Sequence, residues 1–334
     1  QIKLIIVGQE KELTIVDSFQ TIVTINKPLK RLFITSYNLE TLRSVKVDLK
    51  DIIVGASELD PFFFPEFCDV PQVPIHPRGR VEDTEAVLNL DPEAVIYFDI
   101  DPVARGAYDA AGISVIVFKP NVPAKYMQVI RTQGYIFDKE DEAEEFIDWY
   151  EDILNTINER VENILEEEKP KVYSESAHTP YFTYPQYGYI TETGGKDIFA
   201  SSGSVDPEAI IDRDPDIIVK GISWRTAGCG YGVDADDTAK FEERRDEILT
   251  RDELKEVTAV KNKRVYIIST NFMSMQSANA QSFLQLVWQA KWFQPDVFED
   301  LDPKAIHQEY LTRFQGLDID LDEKGVFVYP EEPV

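Results

Sequence analysis

Residues Glu85–Ile96 read EAVLNLDPEAVI, and residues Glu208–Val219 read EAIIDRDPDIIV. The two stretches align without a gap, and the pairs Glu85/Glu208, Ala86/Ala209, Asp91/Asp214 and Pro92/Pro215 are identical. Each begins as a short amphipathic helix. It then meets an Asp-Pro step, where the proline ring disfavours helical backbone at the residue before it. An apolar run follows, of the kind that reads as a buried strand. Helix, break and strand is a common way into any α/β sheet. Equal placement in the two halves of a 334-residue chain predicts two lobes of like architecture.

The flanking sequence extends the pattern. Leu32–Ser36, Ile52–Gly55, Val73–Ile75, Ala94–Phe98 and Ile113–Phe118 are short apolar runs bounded by Gly, Pro, Asp or Asn, and read as buried strands. Helical patterns fall between them at Leu39–Val45, Glu85–Leu90 and Val103–Ala111, the last stopped by Gly112. The second half repeats the scheme. Its strands are Val172–Ser176, Ile217–Lys220 and Val265–Ser269, and its helices Pro207–Asp212, Lys240–Leu249 and Gln281–Trp292. This alternation predicts an α/β fold with two Rossmann-like lobes built on mainly parallel sheets.

Between the halves, Glu140–Glu168 places Phe146, Tyr150, Ile153, Ile157, Val161 and Ile164 at steps of three and four, one face of a helix. Such a segment would extend about 40 Å, and Pro170 ends it. The expected organisation is an N-terminal α/β lobe at 1–138, a spacer helix at 139–169 and a C-terminal α/β lobe at 170–334, with a ligand cleft between the lobes. The strongly acidic outer face of the spacer reads as solvated surface.

Composition narrows the partners. With 34 basic and 61 acidic residues the formal charge is −27, which repels phosphate backbones, and no basic stripe interrupts it. Nucleic acid is therefore not an expected partner. No run reaches the roughly 18 apolar residues of a spanning helix, and Ile2–Val7 is too short for a signal core. A start at Gln1 without methionine suggests that a segment preceded it. Acidity of this degree also fits a salt-rich habitat. Cys68 and Cys229 form no CxxC motif, so free thiols, a disulfide and shared metal ligation all stay open.

The segments ELTIVDSFQTIVTINKPLKRLFITS at Glu12–Ser36, EAVLNLDPEAVIYF at Glu85–Phe98, the spacer ending in KPKVYSES, GGKDIFA at Gly194–Ala200, DPEAIIDRDPDIIV at Asp206–Val219 and LKEVTAVKNKRVYII at Leu254–Ile268 carry a resemblance. In their order and spacing the chain resembles the substrate-binding proteins of iron-complex and cobalamin ABC importers, over nearly its whole length. The resemblance implies two lobes bridged by one long helix. It also implies a monomeric extracytoplasmic receptor, periplasmic or at the cell surface, tethered to the membrane by a segment outside this chain. Such a receptor captures a ferric siderophore, haem or a corrinoid and delivers it to an ABC permease in the membrane. It implies no catalytic cofactor. In that family a glutamate on each lobe docks onto permease arginines, and the matching positions are Glu85 and Glu208. Each also suits the first turn of its helix, where the dipole favours an acid.

In open parallel sheets, ligands lie beyond the carboxyl ends of the strands. The loops there offer Tyr37, Phe63, Arg78 and Arg80 in the first half. The second half offers His178, Tyr181, Tyr184, Tyr187, Trp224, Arg225, Tyr231 and Phe272. The run HTPYFTYPQYGY at His178–Tyr189 has neither strand nor helix periodicity, so its rings either stack on a flat ligand or pack on their own lobe. Arginine forks in an acidic protein suit an anionic chelate, and each alone also suits solvent. His178, after a strand, is the candidate metal ligand, and His76 has a similar setting. His307, in AIHQEYL, reads as surface.

An enzyme would need a nucleophile–base pair, clustered metal ligands or a phosphate loop. The chain has no GxSxG, HExxH, GxxxxGK[ST] or GxGxxG, and only three histidines. The expectation is a binding protein and not an enzyme. A chelatase-like metal-cofactor enzyme and a receptor for a free metal ion are the alternatives.

Overall fold

The computed structural model describes residues 12–57, 59–74, 81, 83–120, 123–184, 189–223, 231, 236–270 and 281–334, with side chains in the helix Pro123–Phe137 from residue 125 onward. The chain divides into two compact units. The first holds the sequence through Trp149 together with Arg313–Leu317, and the second holds most of the remainder.

In the first unit, β1 (Glu12–Val16) and β2 (Ile22–Asn26) form an antiparallel hairpin. Its turn is organised by Asp17, whose buried Oδ1 accepts the backbone N–H of Phe19 and of Thr21, both at 2.9 Å. The main sheet holds β3 (Leu32–Ile34), β4 (Ile53–Ser57), β5 (Gln72–Val73), β6 (Ala94–Tyr97) and β7 (Ser114–Val117). All neighbours are parallel, in the spatial order β5-β4-β3-β6-β7. Strand order reverses between β3 and β6, so the crevice of this sheet opens beyond Ile34 and Tyr97.

The second unit repeats the plan. It holds β8 (Lys171–Glu175), β9 (Phe182–Thr183), β10 (Lys196–Asp197), β11 (Gly203–Ser204), β12 (Ile217–Ile222), β13 (Val265–Ser269) and β14 (Val328–Tyr329). The main sheet runs β10-β8-β12-β13-β14, parallel except for the antiparallel edge strand β14. Its switch point lies between β8 and β12. Strands β9 and β11 pair separately.

The repeat read from the sequence is a repeat of structure. The helices Thr84–Leu88 and Pro207–Arg213 lead to β6 and β12, and each buries its third repeat residue completely, Val87 and Ile210. Both Asp-Pro aspartates are left-handed, Asp91 at φ 50° and Asp214 at φ 45°, a conformation that short polar side chains tolerate. The next residue then docks the same way in each unit. Glu93 N–H donates to Arg31 O at 2.8 Å and Asp216 N–H to Lys171 O at 2.8 Å. A cation at the start of β3 and of β8 also closes the helix end, Arg31 just before β3 on Leu90 O and Lys171, the first residue of β8, through Nζ on Arg213 O.

The long helix spans Glu140–Val161, about 33 Å of rise. Phe146 packs on Phe314 within the first unit at 4.9 Å, and Tyr150 packs on Phe283 within the second at 5.2 Å. The helix ends at Val161, about two turns before the Glu168 limit expected from sequence. Ile164 is still buried, but beyond the helix end, and Glu166–Glu168 form a separate 3-10 segment in which Glu166 pairs with Lys169 at 3.2 Å. Helical periodicity in burial therefore continued past helical backbone.

Candidate ligand-binding site

At the first switch point the chain leaves β3 through Thr35 into the helix Ser36–Ser44, and leaves β6 through Phe98 and Asp99. Tyr37, 38% exposed, rests on the buried Phe98 ring at 5.3 Å. Lys119, just past β7, reaches Asp99 Oδ2 at 3.0 Å with its ammonium 5.4 Å from the Phe98 ring centre. The result is a small platform of one exposed phenol, one aromatic floor and one ion pair at the carboxyl end of the sheet. A shallow pocket beside it is lined by Thr84, Tyr97, Asp99, Asp101 and Tyr108. The helix Thr84–Leu88 therefore starts at the same end, with Glu85 exposed in its first turn and Asp83 capping it through Ala86 N–H at 2.9 Å.

At the second switch point the chain leaves β8 through Ser176 and Ala177, and His178, Thr179 and Pro180 are exposed. The loop returns into β9, where Ser176 N–H donates to Phe182 O at 2.7 Å. Beneath it lies a buried charged set. Glu175, fully buried, receives Lys220 Nζ at 2.7 Å from the neighbouring strand and both arms of Arg251 at 2.8 and 3.0 Å. It also accepts Tyr173 Oη at 3.2 Å and Tyr181 N–H at 3.0 Å. Burial alone would raise the Glu175 carboxyl, but Arg251 and Lys220 outweigh it and hold it below the usual carboxylate range. Burial lowers Lys220. Arg251 covers the Tyr181 ring at 4.6 Å and pairs with Glu247 at 2.9 Å. The helix Pro207–Arg213 begins near this end, because Val205 N–H donates to Tyr181 O at 2.8 Å. Glu208 is exposed in its first turn, and its N–H donates to the capping Asp206 at 2.9 Å.

A scan against family models matches the periplasmic binding protein family (Peripla_BP_2) over residues 64–271, more than half of the chain. The chain belongs to the periplasmic binding protein family. As a member it is an extracytoplasmic solute-binding protein of the kind that serves ABC importers. A search of curated proteins returned no relative of significant similarity. Among solved structures the chain is similar to the TroA-like periplasmic binding protein FepB from Veillonella parvula (21% identity, 94% of this chain and 98% of that one, TM-score 0.73). It is also similar to the molybdate-bound binding protein MolA from Haemophilus influenzae (15%, 92% and 99%, TM-score 0.71). A third is CeuE from Helicobacter pylori in a nickel–histidine complex (18%, 92% and 97%, TM-score 0.67). At these identities the likeness is one of fold.

For this periplasmic binding protein the residues expected from sequence divide into three groups. Tyr37, His178, Glu85 and Glu208 are exposed at strand carboxyl ends, and Tyr184 is half-buried against Phe182 at 4.7 Å. Phe63 and Tyr231 are buried. Phe63 is buried edge-on against Phe64 with the Arg43 guanidinium 4.5 Å from its ring centre, so it serves its own lobe. Tyr231 is buried too, with its hydroxyl 2.8 Å from His307 Nε2 and donating to Gln281 Oε1 at 3.2 Å. Tyr181 is half-buried beneath Arg251, its hydroxyl bonded to Glu253 and pushed up to about 12 by burial and then by that carboxylate. Arg78, Arg80, Tyr187, Trp224, Arg225 and Phe272 lie outside the described residues, as do His76 and Cys229.

His307 corrects the surface reading. It is buried against Phe327 and Tyr231, and burial lowers it to about 3. Cys68 is an exposed free thiol. Among the described residues, no group of three or more His, Cys, Asp or Glu side chains is placed to hold a metal ion, and no helix is long and apolar enough to cross a membrane. Sequence reading missed Lys119, whose role depends on β6 and β7 being neighbours. It also missed the Glu175 set, for which a lysine inside the apolar run IIVKGI at 217–222 was the available signal.

Proposed function

We propose that this solute-binding protein captures a metal chelate, a ferric siderophore, haem or a corrinoid, and delivers it to an ABC permease. Contacts come from the segments that follow the strands: Tyr37 from the first lobe, His178 and Tyr184 from the second, with Arg78, Arg80, Tyr187, Trp224, Arg225 and Phe272 as the further candidates from sequence. Residues 139–169 act as the connector of the two lobes. Glu85 and Glu208 dock on the permease, and no catalytic cofactor takes part.

One observation carries the reading. The two lobes offer the same exposed carboxylate, in the first turn of the same short helix, with the helix ends anchored by matching bonds. A pair of like charges presented by two related bodies fits a permease with matching cations, because complementary charge fixes orientation as well as encounter. Support for a metal complex as ligand comes from neighbours whose names record molybdate and a nickel–histidine complex. An exposed phenol over an aromatic floor at the first switch point suits the face of a conjugated chelate.

The test is native mass spectrometry, metal analysis and an absorption spectrum of protein taken from its own host. A coloured metal complex in stoichiometric amount is expected. Co-purification of a metal-free solute, such as a sugar or a peptide, would overturn the ligand class.

A further inference from the structure

The internal repeat fails at one place. The registers of β3 with β6 and of β8 with β12 make Thr35 and Tyr97 the counterparts of Glu175 and Lys220. In the first lobe that pair is uncharged, and Tyr97 Oη bonds Tyr108 Oη at 2.6 Å. There the chain passes directly from β3 into the helix Ser36–Ser44, whose own hydrogen bonds hold the backbone at the switch point. In the second lobe no helix follows β8. Residues 176–181 run as a loop, and the loop coincides with the charged set.

Each member of that set ends on the loop. Lys220 Nζ donates to Ser176 O at 2.6 Å, the leading foot. Glu175 Oε2 accepts Tyr181 N–H at 3.0 Å, the returning foot, where Tyr181 takes φ 53°. Arg251 covers the Tyr181 ring. Gly221 lets the loop lie against β12, since a Cβ there would fall 2.9 Å from the Cβ of Ala177. Only the tip, His178, Thr179 and Pro180, is left to solvent. A fold alone does not call for such a set, because buried ion pairs are often replaceable by apolar side chains of the same volume without loss of stability. What apolar side chains cannot supply is a bond to a chosen carbonyl and a chosen N–H.

We infer that Lys220, Glu175 and Arg251 are positioning residues that hold loop 176–181 in one conformation, so that His178 and its neighbours meet the ligand without an ordering cost. That this loop meets the ligand rests on the function proposed above; that the charged set holds it does not.

The decisive experiment is amide hydrogen exchange on the full chain carrying Lys220→Met together with Glu175→Gln, which removes one charge of each sign. Exchange across 177–184 is expected to accelerate at least tenfold, while the amides of β12 and β13 change less than threefold. Arg245→Met is the control. Its guanidinium bonds Val265 O and Lys263 O in the same lobe and does not touch the loop, so it is expected to leave 177–184 no faster than the strands. Should the double variant fail to fold, Arg251→Lys, which loses the forked contact, is expected to accelerate 181–184 at least threefold. Unchanged loop exchange, or equal acceleration of loop and strands, overturns the positioning role. Haemin, cyanocobalamin and a ferric tris-catecholate serve as ligand probes. Whichever binds the unaltered protein is expected to bind the double variant at least tenfold more weakly, and equal affinity overturns the role. If none binds the unaltered protein, the ligand class proposed above falls, and hydrogen exchange still decides the positioning.

Discussion

Arg251 meets Glu175 with both arms of its guanidinium, Nη1 on Oε2 at 2.8 Å and Nη2 on Oε1 at 3.0 Å, in a site where the carboxylate is wholly buried. Lys220 and Glu247 extend the set, and the part-buried Arg244 joins it through Glu247 at 2.6 Å. Each buried charge faces an opposite one, the condition on which buried ionisable side chains persist. Removing one breaks the balance. Lys220→Met alone is expected to destabilise the second lobe by about 3 to 5 kcal/mol, the range for removing one member of a buried ion pair, since Glu175 is left with Arg251 as its one charged partner. Adding Glu175→Gln should recover most of that loss. Urea unfolding of the two variants measures the difference, and a double variant as weak as the single would contradict charge balance as the cause.

Acid should act through His307. Its folded value is depressed to about 3 by burial, against about 6.5 in an unfolded chain. A depressed group contributes stability that is present above its unfolded value and is lost as pH falls toward the folded one. The loss should therefore begin near pH 6.5, at up to about 1.4 kcal/mol per pH unit. His307→Gln keeps a polar partner for Tyr231 and removes the titration. The variant is expected to be less stable at pH 7.5 by about 1 to 2 kcal/mol, yet to lose less than the parent between pH 6.5 and 4.5. Parallel slopes would exclude His307 as the titrating group.

Asp197 has the opposite sign. Burial raises it to about 6, and its Oδ2 is buried without a hydrogen-bond partner while Oδ1 accepts Phe199 N–H at 2.9 Å. A raised carboxyl contributes stability that is fully present below its unfolded value near 3.9 and is lost as pH rises through about 6. Asp197→Asn keeps the Oδ1 acceptor and stays neutral. With allowance for partial solvent screening, it should gain about 1 to 2 kcal/mol at pH 7.5 and close to nothing at pH 4. Thermal melts at the two pH values test this, and a gain of equal size at both would refute it.

The sheets and their repeat were legible because buried parallel strands are continuous apolar runs, and because Asp-Pro marks where each helix must stop. Val87 and Ile210, or Asp91 and Asp214, could be paired from sequence and do pair in structure. The site was less legible. Lys220 meets a partner 45 residues earlier and Tyr231 one 76 residues later, and nothing local in either sequence names that partner. Sequence leaves a loop ring open between a ligand contact and an anchor that holds the loop to its lobe, and only the packing around Phe63 and Tyr231 distinguishes buried rings from exposed ones such as Tyr37. His307 was misread because a single polar residue in a helical pattern says nothing of which face it occupies. The helix Pro123–Phe137 and the hairpin of β1 and β2 were not anticipated at all.

Docking is the prediction with the clearest separation of readouts. Glu85 and Glu208 are exposed and lie in the first turns of their helices, outside the hydrogen-bonded body of either lobe. Replacing either by alanine removes a charge without creating a cavity, so stability should change by less than about 0.5 kcal/mol. Each single variant is expected to lower transport roughly tenfold, the effect of losing about 1.4 kcal/mol of charged contact, and the double variant should abolish it. Affinity for the ligand should be the same in all four proteins. Because the contact is between exposed charges, complex formation by the parent with permease in detergent or nanodiscs should weaken as salt rises, and the double variant should lose most of that salt dependence. Normal uptake by the double variant would remove both glutamates from the docking surface, while a fall in ligand affinity would place them at the ligand instead.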